Sequence, residues 1–292
     1  MSEPVSRRTW PLGLTGWPLT FSLSPPLQEA ALRQNGLAGE YRLYPLEPGP
    51  GLEAGLRELV ERVRSGVLAG LNVTIPHKET VRPLLDGATP LAEAIGAVNT
   101  LFVEQGRVLG DNTDADGLLA DLARWGGELG RRWVAGAQAL LLGAGGAARA
   151  AVYALCRAGW TVTLASRRLE QAETLAAWVN GWNLAGGARP ARLTAAALRG
   201  LRADLVVNTT PLGMGGQAAE TPWPEGLPFP PGAAVYDMIY YPRETRLVRD
   251  ARQAGCAATG GVGMLIEQGA LSFTRWTGCP VERSGLWRAC GC

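Results

Sequence analysis

The sequence predicts an α/β fold with two domains, and three observations lead to this prediction. Strand-like and helix-like segments alternate along the 292 residues, a pattern typical of parallel sheets covered by helices. An apolar strand is followed directly by a glycine-rich turn and a helix, as in a Rossmann-like dinucleotide-binding domain. A polar segment at Gly110–Asp114 marks the junction where this unit begins. We therefore expect an N-terminal α/β domain at residues 9–112 and a Rossmann-like domain at 113–263, with a C-terminal helix within 264–292 that returns to the first domain.

Turn and capping residues delimit the elements expected in the first domain. A proline opens the first helix and Gly36 closes it. Gln105-Gly106 is suited to the turn of a β-hairpin. In chain order we expect a strand at Leu12–Thr15, a helix at Pro25–Gln34, a strand at Glu40–Tyr44, an amphipathic helix at Leu52–Arg64, a strand at Gly70–Thr74, and hairpin strands at Val98–Glu104 and Arg107–Leu109.

The second domain shows a β-α-β pattern that is interrupted at Gly159. A stretch rich in proline and glycine, Gly215–Gly232, predicts a long surface loop. The last strong helix is expected at Met264–Trp276. The other expected elements are helices at Asp116–Trp125 and from the glycine turn to Ala158, and strands at Ala139–Leu142, Trp160–Ala165, Asp204–Val207 and Ala233–Asp237.

Composition excludes several classes of function. The net charge of +2 is too small for a nucleic-acid-binding or membrane-binding surface, and no stretch approaches the roughly 20 apolar residues of a membrane span. Met1–Arg8 lacks the apolar region of a signal peptide. The five cysteines show no paired C-x-x-C spacing and the chain has one histidine, so we expect reduced thiols and no metal site. These features predict a cytoplasmic protein that binds no nucleic acid or membrane. We also expect a small-molecule substrate and a monomer or homodimer, although no sequence feature distinguishes between these two assemblies.

The chain contains 27 arginines and a single lysine, Lys78. A guanidinium does not release its proton, whereas an ammonium can, so the lone lysine is a candidate proton carrier. Asp114 is expected to orient Lys78, although an aspartate there also suits helix capping. The absence of a Tyr-x-x-x-Lys pair excludes the short-chain reductase arrangement, and His77 is expected to be a solvated neighbour. Uncharged groups that suit a polyhydroxylated substrate are offered by Asn72, Thr74 and Asn99.

The glycine turn satisfies the dinucleotide-binding pattern G-x-G-x-x-G/A. Its first glycine permits a tight turn, and its second lets the backbone approach a pyrophosphate at the N-terminus of the helix. The turn consists of Gly143, Ala144, Gly145, Gly146 and Ala147, followed by Ala148. An NAD site would place an acidic residue near the end of the next strand, but this chain has Ser166, Arg167 and Arg168 there. Two guanidiniums and a hydroxyl suit a 2′-phosphate, so NADP is the predicted cofactor.

Several ordered motifs over residues 12–278 resemble the shikimate dehydrogenase family. They are Ser22-Leu23-Ser24-Pro25, Asn72–Lys78, Gly96–Thr100, Gly110–Asp114, Gly143–Ala147, Asn208-Thr209-Thr210 with Gly213-Met214, Asp237–Tyr240, and Gly263-Met264-Leu265 with Gln268-Gly269-Ala270. The resemblance implies a two-domain enzyme that reduces 3-dehydroshikimate to shikimate with NADPH, in the biosynthesis of chorismate and the aromatic amino acids. The first domain would then bind the substrate.

The resemblance also implies roles for individual residues. Lys78 would exchange the proton at the reacting oxygen, with Asp114 beside it. Tyr240 would lie near both the substrate and the nicotinamide. The other implied substrate-binding residues are Ser22, Ser24, Asn72, Thr74, Asn99 and Gln268. The residues implied to line the nicotinamide are Thr210, Met238 and Gly261.

The sequence departs from the family pattern at three places. Phe21 stands where the family usually has a histidine, and Gln28-Glu29 stand where it usually has His-Asn. The family's Asn-Arg-Thr motif and second arginine are replaced at Ser166, Arg168 and Gln171. Three alternatives stay open: a quinate/shikimate dehydrogenase with relaxed substrate or NAD use, another small-molecule oxidoreductase with the same two-domain plan, and a non-catalytic sensor that binds a dinucleotide or shikimate.

Overall fold

The computed structural model describes residues 9–292. The segment Met1–Arg8, in which no signal peptide is expected, lies outside the described residues. The chain divides into two compact units: unit 1 contains the residues up to Thr113 together with Ile266–Cys292, and unit 2 is Asp114–Leu265. Both units combine a sheet with helices, so the predicted α/β class is confirmed. Among residues 9–292, the structure contains no helix with the length and apolar character of a membrane span.

Unit 1 contains a six-stranded sheet. Its strands are β1 (Trp10–Gly16), β2 (Gly39–Pro45), β3 (Gly70–Val73), β4 (Gly87–Ala88), β5 (Thr100–Glu104) and β6 (Arg107–Asp111), in the spatial order β2-β1-β3-β5-β6-β4. β1 pairs in parallel with β2 and β3, whereas β5 is antiparallel to β3 and β6. The predicted hairpin joins β5 to β6. Its turn residues Gln105 and Gly106 have φ of 51° and 76°, as a type I′ turn requires.

The helices of unit 1 are α1 (Ser24–Gln34), α2 (Leu52–Arg64), α3 (Pro90–Ile95) and α10 (Arg283–Ala289), together with the part of α9 (Val262–Thr277) from Ile266 onward. α9 contains the predicted C-terminal helix, and its later turns pack on the sheet of unit 1. Trp276 Nε1 donates to the Leu101 carbonyl at 2.8 Å. A Cβ at Gly70 would overlap the Trp276 ring, so the missing side chain in β3 makes room for the indole.

Unit 2 contains a second six-stranded sheet, in which every strand pair is parallel. Its strands are β7 (Gln138–Leu142), β8 (Thr161–Ser166), β9 (Gly187–Arg192), β10 (Leu205–Asn208), β11 (Ala234–Asp237) and β12 (Ala258–Thr259), in the order β12-β11-β10-β7-β8-β9. Its helices are α4 (Asp114–Glu128), α5 (Gly146–Arg157), α6 (Leu169–Asn180), α7 (Ala195–Leu198) and α8 (Arg246–Gln253). The strand order reverses between β10 and β7, where open α/β sheets bind ligands at the carboxyl ends of the strands.

Sequence analysis did not identify α6, α8 or β9. β9 reads Gly-Ala-Arg-Pro-Ala-Arg, without the β-branched and aromatic residues that indicate a strand. Proline is tolerated in it because β9 is the edge strand of the sheet.

Candidate active site

Buried amide and hydroxyl groups of unit 1 are joined in one network beside the end of β3. Asn72 Nδ2 donates to the Asn99 carbonyl and to Ser272 Oγ, each at 3.0 Å, and to Thr100 Oγ1 at 3.2 Å. Asn99 Oδ1 accepts from the Thr113 backbone N–H at 2.9 Å. Ser272 Oγ lies 2.8 Å from Thr100 Oγ1 and 3.1 Å from Thr113 Oγ1. We call Asn72, Asn99, Thr100, Thr113 and Ser272 the amide cluster.

Further contacts fix the orientation of the two asparagines. Tyr41 donates its hydroxyl to Asn72 Oδ1 at 2.8 Å. Asn99 Nδ2 donates to Gln268 Oε1 at 3.4 Å. Three residues predicted to bind the substrate, Asn72, Asn99 and Gln268, are therefore connected by hydrogen bonds. Sequence reasoning missed Tyr41 and Ser272, because neither belongs to a motif with a recognisable chemical pattern.

The other residues of unit 1 predicted to bind the substrate lie on neighbouring segments. The Ser24 backbone N–H donates to Ser22 Oγ at 3.3 Å, so the two serines meet at the start of α1. The Thr74 backbone N–H donates to the Thr15 carbonyl at 2.9 Å, which continues the pairing of β3 with β1. Thr74 is half-buried, as is Ser22.

Lys78 lies in the loop that follows β3 and is half-buried. Its carbonyl accepts from the Val98 N–H at 2.8 Å, which fixes the backbone beside the ammonium group. The predicted partner, Asp114, is buried at the first position of α4. Lys78 thus belongs to unit 1 and Asp114 to unit 2.

The expectation that His77 is a solvated neighbour is wrong, because its side chain is fully buried. His77 Nε2 lies 2.6 Å from the Leu46 carbonyl oxygen. A carbonyl only accepts, so Nε2 carries a hydrogen in this contact. His77 Nδ1 is buried without a hydrogen-bond partner. The hydrogen bond from His77 to the Leu46 carbonyl therefore connects the loop that contains Lys78 to the segment after β2.

The turn between β7 and α5 in unit 2 has the features of a pyrophosphate site. Gly143 has φ of +111°, and a Cβ there would lie 2.7 Å from Thr209 Oγ1. Gly145 is the N-cap of α5 and has open space around it, while Gly146 and Ala147 are exposed. No side chain caps the first turn of α5, which leaves its N–H groups available to an anion. These residues fit the pyrophosphate of a dinucleotide.

The end of β8 provides the next part of this site. Ser166 is buried at the last position of the strand, and Arg167 and Arg168 follow it with exposed side chains. The first carboxylate after the strand is that of Glu170. Two guanidiniums at the carboxyl end of β8 fit a 2′-phosphate and would not attract a ribose 2′-hydroxyl as a carboxylate does.

Thr210, Met238 and Gly261, predicted to line the nicotinamide, are brought together in unit 2. Asn208 Oδ1 accepts from both the backbone N–H and the hydroxyl of Thr210, each at 2.8 Å. The Met238 N–H donates to the Asn208 carbonyl at 3.1 Å. A Cβ at Gly261 would overlap the Met238 backbone, so the two residues are in close contact. Tyr240 follows β11 two residues after Met238 and is half-buried.

Asp237, at the end of β11, supports this arrangement. Its carboxylate accepts from Asn208 Nδ2 at 2.9 Å, from Thr245 Oγ1 at 2.6 Å and from the Ile239 N–H at 3.1 Å. Burial without a cationic partner raises the pKa of Asp237 from 3.8 to about 6, although the three donors act in the opposite direction. Sequence reasoning gave Asn208 and Asp237 no role. The signal that could have identified them is a polar residue at the end of each apolar strand.

Comparison with known proteins gives consistent matches along the chain. Residues 14–101 match the shikimate dehydrogenase substrate binding domain, and residues 261–290 match the shikimate 5′-dehydrogenase C-terminal domain. A curated shikimate dehydrogenase (NADP(+)) of Salinibacter ruber is 39% identical over 289 residues, which cover 98% of both chains.

Solved structures match over a similar extent. The shikimate 5-dehydrogenase of Thermus thermophilus, in complex with NADP(H) and shikimate, is 34% identical with a TM-score of 0.81, covering 97% of this chain and 98% of that one. The quinate dehydrogenase of Corynebacterium glutamicum, in complex with NAD, is 29% identical with a TM-score of 0.81, covering 96% and 98%.

Proposed function

The chain belongs to the shikimate dehydrogenase family, and we propose that it reduces 3-dehydroshikimate to shikimate with NADPH through the residues described above. The family resemblance, the oxidoreductase class and the use of NADP, all predicted from the sequence, are confirmed by these relatives. The observation that carries the proposed chemistry is the position of Lys78, the only lysine, in the loop directly after the strand that holds Asn72.

The substrate is held by unit 1, which corresponds to the proposed substrate domain of residues 9–112 and 264–292. The amide cluster presents fixed amide groups, because each asparagine is oriented by buried partners. Such preorganised groups suit the hydroxyls and carboxylate of shikimate. The proposed substrate-binding residues of unit 1 are Ser22, Ser24, Asn72, Thr74, Asn99 and Gln268, and Tyr240 of unit 2 is proposed to bind the substrate as well.

Lys78 is the proposed general acid and base. In the direction of reduction its ammonium group donates a proton to the ketone oxygen as that oxygen becomes a hydroxyl, and in the reverse direction the amine takes the proton back. Asp114 is proposed to accept a hydrogen bond from the ammonium group and so orient it. His77 and the Val98 N–H support this role, since both hold the backbone around Lys78.

The nucleotide is held by unit 2, the proposed NADP-binding domain of residues 113–263. When bound, NADPH supplies the hydride that reduces the ketone carbon. The backbone N–H groups of Gly143–Ala147 and of the first turn of α5 would bind the pyrophosphate. Ser166, Arg167 and Arg168 would bind the 2′-phosphate, and Thr210, Met238 and Gly261 would position the nicotinamide ring. The proposed location is the cytoplasm, where thiols stay reduced, and the proposed assembly is a monomer or homodimer.

Oxidation of shikimate with NADP⁺, followed as absorbance of the reduced nicotinamide, tests this function. Lys78→Ala should lower kcat by about 10²–10⁴ with little change in the KM for shikimate, since general acid–base catalysis contributes that much. Lys78→Arg should fail as well, because it keeps the charge without a transferable proton. Glu79→Ala, at the exposed neighbouring position, is the matched control and should keep full activity. A Lys78→Ala protein with normal turnover at saturating shikimate would contradict the role of Lys78.

A second candidate is a quinate/shikimate dehydrogenase that also uses NAD. Gln171 favours it, because this residue stands where the family usually has its second arginine. The ratios of kcat/KM for shikimate and quinate, each with NADP⁺ and NAD⁺, distinguish the two candidates. A non-catalytic sensor would bind shikimate or dinucleotide without turning either over, and the same assay combined with calorimetric titration would reveal it.

A further inference from the structure

The edge strand β9 brings a third arginine to the proposed 2′-phosphate site. β8 and β9 pair in parallel, and Ser166 is in register with Arg192 at the last position of both strands. Paired strands lie about 4.8 Å apart, so the Arg192 Cα is a near neighbour of the strand end that carries the site. The Leu193 N–H donates to the Ser166 carbonyl at 2.9 Å, which fixes this register.

The alternation of side chains places Arg192 on the same face of the sheet as Ser166. Ala165 and Ala191, one position earlier in each strand, both pack into the same apolar core. Successive side chains point to opposite faces, so Ser166 and Arg192 point together to the other face. The crossovers β7-α5-β8 and β8-α6-β9 advance in the same direction along the sheet, and crossovers between parallel strands are right-handed in about 98% of cases, so α5 and α6 lie on one common face. The core beneath Ala165 includes Leu198 of α7 and Leu247 of α8, so the face of Arg192 is that of α5 and its glycine turn.

The guanidinium of Arg192 is available for a ligand. Its side chain is exposed, and within residues 9–292 no hydrogen bond or ion pair engages it. Arg189, three residues earlier, is also exposed, but it differs from Arg192 in the face of the sheet on which it lies and in having a hydrogen-bond partner. It is in register with Thr163 on the opposite face, and its Nε donates to Thr163 Oγ1 at 3.0 Å.

We propose that Arg192 binds the 2′-phosphate of NADP and supplies the positive charge that Gln171 does not. The proposal rests on the proposed function, since it assigns a further residue to the same nucleotide site. A 2′-phosphate carries close to two negative charges, and a planar guanidinium can donate two parallel hydrogen bonds to it. With Arg167 and Arg168 from the loop and Arg192 from the next strand, cations reach the phosphate from two directions. Arg192 therefore acts as a determinant of cofactor specificity.

Titration calorimetry with 2′,5′-ADP and with 5′-AMP tests this role without catalysis, because the two ligands differ in the 2′-phosphate. Arg192→Gln should weaken binding of 2′,5′-ADP about tenfold, as expected for the loss of one charge-assisted contact, and leave 5′-AMP unchanged. Arg192→Lys should recover part of the affinity for 2′,5′-ADP, since an ammonium group restores the positive charge but cannot donate two parallel hydrogen bonds as a guanidinium does. Arg189→Gln, on the opposite face of the same strand, is the matched control and should bind both ligands as the wild type does.

Two results would overturn the proposal. One is unchanged 2′,5′-ADP affinity in Arg192→Gln, and the other is an equal loss for 2′,5′-ADP and 5′-AMP, which indicates a structural effect. Steady-state kinetics with shikimate should agree, with KM for NADP⁺ raised about tenfold and KM for NAD⁺ unchanged. If the wild type binds 2′,5′-ADP but does not oxidise shikimate, the proposed function fails while the titration still decides the role of Arg192.

Discussion

Asp237→Asn should remove the contribution of this carboxyl group to the pH dependence of stability that we expect of the wild-type protein between pH 3.8 and about 6. The buried carboxyl group has its pKa raised from 3.8 to about 6 by desolvation. Within this window the folded protein therefore binds the proton of Asp237 more tightly than the unfolded chain does. By linkage, the contribution of Asp237 to the free energy of unfolding is fully present below pH 3.8 and is lost as the pH rises through about 6.

The size of this contribution follows from the two pKa values. A rise from 3.8 to about 6, at about 1.4 kcal/mol per unit, corresponds to about 3 kcal/mol. The amide that replaces the carboxyl has nearly the same shape and never ionises. It also keeps an acceptor for Asn208, and its NH₂ group can donate to the hydroxyl of Thr245. At low pH the free energy of unfolding of the variant should therefore equal that of the wild type or lie below it. As the pH rises to neutrality, the difference between the two free energies should shift by about 3 kcal/mol in favour of the variant.

Urea unfolding of both proteins at several pH values from about 4 to about 7.5 measures this difference. Other carboxylates titrate in both proteins, so the difference between the two free energies of unfolding isolates Asp237. Hydrogen exchange of the β11 amides supplies a second readout that is specific to unit 2. Glu225→Gln, at an exposed loop position, is the control for loss of a charge. A difference between Asp237→Asn and wild type that stays constant across the pH range would refute this reasoning.

Two further predictions concern the proposed binding sites. Gly143→Ala should weaken NADP⁺ binding and lower the melting temperature, because its Cβ would lie 2.7 Å from Thr209 Oγ1 at a φ of +111°. Calorimetric titration measures the change in binding, and thermal unfolding measures the change in melting temperature. In the control variant Gly145→Ala the added Cβ meets open space, so this variant should melt close to the wild type. Ser272→Ala should lower the free energy of unfolding by about 1–3 kcal/mol, since it leaves buried partners in the amide cluster unpaired. The same variant should raise the KM for shikimate more than it lowers kcat. Unchanged stability in urea unfolding would contradict this account of the cluster.

Features that depend on neighbouring residues were predictable from the sequence. Leu52–Arg64 forms a helix with the predicted bounds, because its apolar periodicity and flanking glycines act within the segment itself. The Gln105-Gly106 hairpin and the strand–turn–helix at Gly143 were predictable for the same reason: positive φ is concentrated at glycine and its neighbours in tight turns. The lone lysine and the order of the motifs identified the family without any knowledge of contacts.

Features that depend on distant residues needed the tertiary structure. Ser272 joins Asn72 across 200 positions of the chain, and no local pattern in α9 indicates which of its faces meets β3. His77 is buried because the segment after β2 offers the Leu46 carbonyl to its ring, whereas the sequence alone indicated a solvated side chain. Arg192 belongs to a strand with little intrinsic strand propensity, which forms because β8 provides a pairing partner. The sequence by itself determined many of the local elements, through short-range backbone preferences, and the family of the chain, through the order of its motifs. Only the packing of the sheets and helices decided which distant side chains meet, because that choice depends on the free energy of burying surfaces far apart in the chain.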